Sequence, residues 1–435
     1  MQFLFRVSIL FLIVFNFRVP VFYNSAFVSI ILCTFYYIWK RGSIPFTYFF
    51  QRYNTAILIG TVALAFIVFV IALLHHTDIA SAREKRMWIE FMMLWSVVYA
   101  LPLLIEGKES TALEELAVII CYAFAIQGVI GLIAYLHSPF AQFLIDIKPA
   151  EIKEAYAEEM LDNRFRFYNL SGILLVELTA AFGIAFIAFF WLQLKSNHLY
   201  MIGWKKYLVF LFIFFGTALA GRTGFIGLAM GVGGWLFFSY NKVFIFVKRN
   251  MWYIIAFSLI IFFAYNFLLT GRQRQSFNNE LFPFAFEWYY NYRDYGKLEV
   301  GSAEATSQHY YHLYDETLLK GHGATAFGTG VFGYPHSDAG YINTLVYGGI
   351  PYLLCLIIYQ FLYLIHPLTI TLKNNSGNNR IHCVFFILLF LYIFIVDIKA
   401  PAIGYMHNLE VLNLVLGSSF LIQYYFRKEQ GELSR

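Results

Sequence analysis

The chain has 435 residues, of which 60% are hydrophobic, 20% aromatic and only 13% charged, with a mean hydropathy of +0.62. That charged content is far below the quarter or so that soluble domains carry, which excludes an ordinary soluble globular protein. A net charge of +5, held mostly in short connections, excludes a nucleic-acid footprint and leaves an all-α protein that crosses a membrane repeatedly.

About twelve apolar runs approach the roughly 17 to 25 residues that span lipid. In chain order they are 2–17, 21–39, 55–75, 87–105, 113–136, 169–194, 207–220, 223–238, 251–270, 338–365, 381–399 and 409–426. The first, seventh and eighth are short, and the first two also read as a shallow hairpin. Arg6 precedes a Phe-rich stretch with no small-residue cleavage site, which predicts an uncleaved first span. Cys33, Cys121, Cys355 and Cys383 all lie inside apolar runs without metal-ligand spacing and are expected to be packing residues. The chain thus divides into N-terminal transmembrane helices (1–136), a first loop (137–168), central transmembrane helices (169–270), a large second loop (271–337) and C-terminal transmembrane helices (338–435).

Basic residues fix the expected orientation. Lys40-Arg41, Lys205-Lys206, Lys242 with Lys248-Arg249, Lys373 with Arg380, and Arg427-Lys428 fall on one side, which the positive-inside rule assigns to the cytoplasm together with both termini. Arg83, Lys85 and Arg86 fall on the other side and break the pattern. Both long loops are then external. The first contains 149–160, rich in helix formers with early acids, and predicts a short surface helix. The second is aromatic and glycine-punctuated, and loops of that length are usually functional. Its aromatic clusters suit either packing or stacking on sugar rings. No internal repeat is visible.

The candidate chemistry lies at the external boundary. Gly221-Arg222-Thr223-Gly224 interrupts two apolar runs, so Arg222 either captures a phosphate or diphosphate or snorkels to lipid headgroups. Gly271-Arg272-Gln273-Arg274 closes the ninth run with two more arginines, a second anion contact or an interfacial anchor, the anchor fitting Arg274 better than Arg272. The segment Gly328-Thr329-Gly330-Val331-Phe332-Gly333 matches G-x-G-x-x-G but follows no strand and opens no crossover helix, so a dinucleotide site is rejected. It and Lys320-Gly321-His322-Gly323-Ala324 permit tight turns on the approach to His336.

His336 has the range of a general base near neutral pH, and Asp338 either assists it or caps the helix that follows. Gly340, Gly348 and Gly349 bring that helix close to a neighbour or break it. Glu177 falls about two turns into the sixth run, while Asp397 and Lys399 end the eleventh, as an ion pair or as cavity lining. Gly227 and Gly231 form a small-xxx-small helix contact.

In the order and sidedness of Gly221-Arg222-Thr223-Gly224, Gly271-Arg272, Gly321-His322-Gly323 and His336-Ser337-Asp338-Ala339-Gly340-Tyr341, the chain resembles the O-antigen polymerase and ligase superfamily of bacterial inner membranes. Ligases typically carry a His-Asn pair where this chain has His336-Ser337-Asp338, so the form here looks more like the polymerases. The segment between Arg272 and Gly321 departs from compact members and would carry repeat-unit specificity.

The resemblance implies a polytopic fold of the GT-C type with two larger periplasmic loops, acting without metal or cofactor as an inverting glycosyltransferase. The substrates implied are undecaprenyl-diphosphate-linked oligosaccharides, joined into a polymer at the periplasmic face; a chain-length regulator and a flippase would be partners. Arg222 and Arg272 would hold the diphosphate, and His336 with Asp338 would serve as base. Glu177, Arg274, His322, Tyr341 and Lys399 are candidates to line the cavity. Two alternatives stand beside this: a ligase transferring finished polymer to lipid A–core, and a lipid-linked oligosaccharide flippase or other transporter, which predicts charges buried within the membrane-spanning helices.

Overall fold

The computed structural model describes residues 2–19, 24–42, 51–76, 82–148, 164–172, 175–195, 203–242, 262–296, 308–324, 333–335, 337–373 and 377–430, with a few single residues between. The described residues are mostly helical, with no strand among them. The main helices are α1 (Gln2–Phe15), α2 (Ser25–Arg41), α3 (Arg52–Leu74), α4 (Ala82–Leu104), α5 (Ala112–Leu136), α6 (Ser138–Asp146), α7 (Leu175–Lys195), α8 (Lys205–Ala220), α9 (Gly224–Ser239), α10 (Gly271–Ser276), α11 (Glu287–Tyr295), α12 (Asp315–Lys320), α13 (Gly340–Lys373), α14 (Gly377–Lys399) and α15 (His407–Glu429).

Among the described residues, seven stretches are long and apolar enough to cross a membrane: α3, α4 from Met87, 109–136, α7, α13, α14 from Arg380, and α15. In lipid, a helix satisfies its own backbone groups, which is why such runs take this form. The chain is therefore a multi-pass membrane protein. Seven is fewer than the roughly twelve expected: α1, α2 and α9 are apolar but have only 10–17 residues in their apolar stretches, and part of the ninth run lies outside the described residues. The surface helix expected over 149–160 also lies outside them.

The chain forms two compact units, a discontinuous one (Met1–Leu116 with Ser302–Arg435) and an inserted one (Ala117–Gly301). In the discontinuous unit, α13 packs on α14, α12 and α3, while α15 packs on α4 and α1. Its interior carries ion pairs and hydrogen bonds as well as apolar side chains. Arg6 Nη1 lies 3.3 Å from Glu115 Oε1, with both side chains about 5% exposed or less. Glu90 and Glu410 are fully buried: Tyr359 donates to Glu90 at 2.8 Å, Gln360 donates to Glu410 at 3.0 Å, and His407 Nδ1 lies 3.5 Å from Glu90.

The connection from α14 to α15 is non-helical yet buried from Ala400 to Gly404, so its N–H groups need internal acceptors. Asp397 Oδ1 accepts from Ala402 and Ile403 at 2.7 and 3.0 Å, and Glu410 accepts from Gly404 at 2.9 Å. Asp397 thus acts as a loop cap, a role outside the two expected for it.

In the inserted unit, α7 packs between α8 and α9. Gly227 of α9 lies so close to Gly183 of α7 that a Cβ would collide with backbone, which bears out the small-residue contact. The stretch 271–337, expected as a long loop, is substantially helical: α10, a π-turn over Phe277–Leu281, Phe282–Ala285 and α11 follow one another, and α12 comes later. Thr270 and Gln273 form a reciprocal cap at the start of α10, and Gln273 Nε2 donates to the Leu136 carbonyl at 3.0 Å, which fastens α10 to the end of α5.

Candidate functional site

Arg222 sits in the two-residue break between Gly221 and the start of α9. The break exists because Gly221 has φ 151°, and a Cβ there would meet Thr179 Oγ1 at 2.9 Å and Arg166 Nη2 at 3.3 Å. Arg222 is ion-paired with Glu287 at the start of α11. Its guanidinium carbon also lies 5.0 Å from the centroid of Phe284. Burial draws its pKa below the ordinary guanidinium value. The anionic partner that the sequence demanded is thus supplied, at least in part, by the protein itself.

Arg166 was missed in the sequence. Its guanidinium carbon lies 5.2 Å from the same Phe284 ring, and its Nε donates to the Ala220 carbonyl at 3.1 Å. Two guanidiniums therefore meet at one aromatic ring beside the ends of α8 and α9. The only signal in the sequence was Arg164-Phe165-Arg166-Phe167 ahead of an apolar run, and nothing local linked it to a glycine-arginine motif more than fifty residues later.

Behind Arg166 stands Lys148, 5% exposed, whose ammonium donates to Asn169 Oδ1 at 2.9 Å, Asn169 O at 3.1 Å and Ser171 O at 3.3 Å. Burial, with a smaller contribution from Lys153, lowers its pKa to about 7. Asn169 Nδ2 in turn donates to the Arg166 carbonyl at 2.7 Å. This chain of bonds fixes the shape of the segment that presents Arg166.

Of the other expected residues in the inserted unit, Arg272 is the second residue of α10. Arg274 donates from Nε to the Leu269 carbonyl at 3.2 Å, which suits an anchor. Glu177 is buried in the first turn of α7, shallower in its helix than expected because α7 begins at Leu175.

In the discontinuous unit, Asp338 precedes α13 and its Oδ2 lies 3.7 Å from His309 Nε2. His309 was not singled out in the sequence. Its carbonyl accepts from the Ser337 hydroxyl at 3.0 Å, so the strap around 309 is tied to the entrance of α13. His336 lies outside the described residues. Tyr341 donates to the Phe394 carbonyl at 3.1 Å, and neighbouring Tyr310 donates to the Ile398 carbonyl at 2.7 Å. Burial, then the nearby Asp397, pushes the Tyr310 phenol up to about 12. Lys399 is the last residue of α14 and is partly exposed.

His322 belongs to a backbone graft. Gly349 has φ 68°, which breaks α13 and leaves carbonyls available to outside donors. His322 N and Gly323 N donate to Val346 O and Tyr347 O, each at 2.8 Å, and His322 Nε2 pairs with Thr317 Oγ1 at 2.7 Å. Burial, then repulsion from His75, lowers the His322 pKa, with Glu316 opposing. Tyr311 stacks nearly parallel on Tyr334 at 5.7 Å, so this aromatic pair is engaged in packing. Among the described residues, no three of His, Cys, Asp or Glu gather in a group able to hold a metal.

No family model, curated protein or solved structure matches the chain.

Proposed function

We propose that this protein is a polysaccharide polymerase of a bacterial inner membrane, an inverting glycosyltransferase that joins undecaprenyl-diphosphate-linked repeat units at the periplasmic face. The observation that carries the reading is the pair of guanidiniums, Arg222 and Arg166, at Phe284 beside the ends of α8 and α9. A departing sugar diphosphate gains negative charge as the bond between the anomeric carbon and its oxygen breaks, and fixed cations stabilise that charge. Arg222, with Arg272 at the start of α10, takes this role. The acceptor hydroxyl attacks the anomeric carbon from the opposite face, its oxygen forms the new glycosidic bond, and its proton passes to His336 or Asp338. Glu287 keeps Arg222 oriented before substrate arrives. The GT-C architecture, both termini in the cytoplasm and the large loops in the periplasm belong to the same proposal.

The test is the length of surface polysaccharide on a denaturing gel, in cells lacking the protein and complemented with wild type, Arg222→Ala or Arg222→Lys at matched expression. Loss of the ladder, with a single repeat unit still on lipid A–core, is the expected result for the empty strain. Arg222→Ala should lower polymerisation about a hundredfold, and Lys should rescue little because it lacks the planar fork. Unsubstituted core with polymer accumulating on undecaprenyl diphosphate would make the protein a ligase instead. Unchanged ladders would end the polymerase reading.

One observation favours transport. Glu90, His407 and Glu410 are buried inside helices and joined to Tyr359 and Gln360, the kind of intramembrane ionisable group that pumps and transporters use. A flippase would show lipid-linked repeat units trapped on the cytoplasmic side of cells lacking the protein, whereas a polymerase defect leaves them on the periplasmic side.

A further inference from the structure

We propose that Glu90 is a proton-binding site inside the discontinuous unit, its carboxyl taking up a proton from water and donating it to the Tyr359 hydroxyl. The observation behind this is a count of protons. Four oxygen–oxygen contacts form one network: the Tyr359 hydroxyl lies 2.8 Å from Glu90 Oε1, 2.8 Å from Thr61 Oγ1 and 2.9 Å from the Tyr363 hydroxyl, and Thr61 Oγ1 lies 3.0 Å from the Ile57 carbonyl. Oxygens this close are hydrogen-bonded, and each bond uses one proton. Tyr359, Thr61 and Tyr363 supply one proton apiece, and the Ile57 carbonyl supplies none. With Glu90 ionised, Tyr359 donates to it, and the four contacts share three protons. Whichever way the hydroxyls then turn, one pair of oxygens meets lone pair to lone pair.

A proton on Glu90 closes the count. Glu90 donates to Tyr359, Tyr359 turns to donate to Thr61, Thr61 donates to the Ile57 carbonyl, and Tyr363 donates to Tyr359. A water molecule cannot make up the deficit, because the contacts are already direct. Burial points the same way. Glu90 and Thr61 are fully buried, and Tyr359 and Tyr363 nearly so, where a neutral acid is far less costly than a carboxylate.

The titratable groups facing Glu90 are Tyr359 and, through it, Tyr363 of α13, together with His407 of α15, whose Nδ1 lies 3.5 Å from Glu90 Oε2. Glu410 stands one turn along α15 from His407 and accepts from Gln360. Thr61 is the group that α3 contributes, while α1 and α2, which also pack on α4, send no titratable side chain to Glu90 in the described hydrogen bonds and ion pairs. Glu90 therefore stands between a line of hydroxyls and an imidazole, an arrangement of the kind that relays protons within membrane proteins. This inference requires neither the polymerase nor the transport reading.

The test is infrared difference spectroscopy at neutral pH on the full chain, purified in a detergent without carbonyl groups. Wild type minus Glu90→Gln should show the loss of one carboxylic-acid C=O band, and Tyr359→Phe should keep that band but move it to higher frequency, since the acid loses its acceptor. Gln is the neutral isostere of the acid, so it should fold; where its thermal midpoint falls short of wild type, the displacement in Tyr359→Phe carries the comparison. Loss of a carboxylate band in place of the acid band, survival of the acid band in Glu90→Gln, or an unmoved band in Tyr359→Phe would each overturn the proposal. The polysaccharide ladder is read separately: the acid band in a protein on which the ladder does not depend would end the polymerase reading and keep the proton site, and a protein-dependent ladder without the band would do the reverse.

Discussion

At the scale of single residues, Arg222 and His322 show how far a motif carries. Both were visible as glycine-flanked polar residues in an apolar chain, and both lie where backbone passes close to other groups. Their partners were not visible. Glu287 and Phe284 reach Arg222 across more than sixty residues, and Arg166 reaches the same ring from the opposite direction in the chain. Tertiary packing creates that convergence, and no spacing rule encodes it. His322 also supports a prediction about pH. Its folded pKa is lowered from the ordinary 6.5, so the unfolded strap binds a proton more readily than the folded one, and stability rises with pH through that window. Opening over 317–323, read as hydrogen exchange corrected for the intrinsic rate at each pH, should therefore accelerate as pH falls below about 6.5, and His322→Gln should remove the dependence. An equal acceleration in the variant would assign the effect to other groups.

At the scale of elements, the apolar runs located the helices well, because in lipid a long apolar segment has few alternatives to a helix. What the runs did not reveal is where helices break. Gly349 breaks α13 and receives the strap, while a Cβ at that position would approach the Leu318 carbonyl to 2.8 Å. Gly349→Ala should cost about 1–3 kcal/mol through its left-handed backbone and that contact. Gly233, in α9 with open space around its Cβ position, is the matching control. Gly233→Ala should be neutral or stabilise by up to about 1 kcal/mol. Unfolding midpoints in detergent would check both, and equal effects would mean that the break in α13 is incidental. The helical content of 271–296 was hidden for a different reason. Its aromatic and polar residues lack an apolar period, and the helix follows from capping by Thr270 and anchoring by Gln273.

At the scale of the molecule, composition alone identified a multi-pass membrane protein, yet it gave no hint of the ionised interior. Arg6 and Glu115 illustrate the energetics. Removing one partner of a buried pair strands the other, so Arg6→Ala should destabilise by about 3–5 kcal/mol, whereas the double change Arg6→Met with Glu115→Leu should cost far less. Denaturation of Arg6→Met, Glu115→Leu and their double in the same detergent would reveal the coupling, and a fully additive double mutant would mean that the pair is not coupled.

The discontinuous unit has a further consequence, one of timing. Glu90 leaves the ribosome 269 residues before Tyr359, and longer still before His407 and Glu410. At about 5–20 residues per second, that interval lasts roughly 13 to 54 seconds, during which the whole inserted unit is synthesised. A lone carboxylate in hydrocarbon is too costly to wait there ionised. Through that delay, α4 must either rest at the bilayer surface or carry its carboxyl neutral, and its final depth is reached only when α13 and α15 arrive.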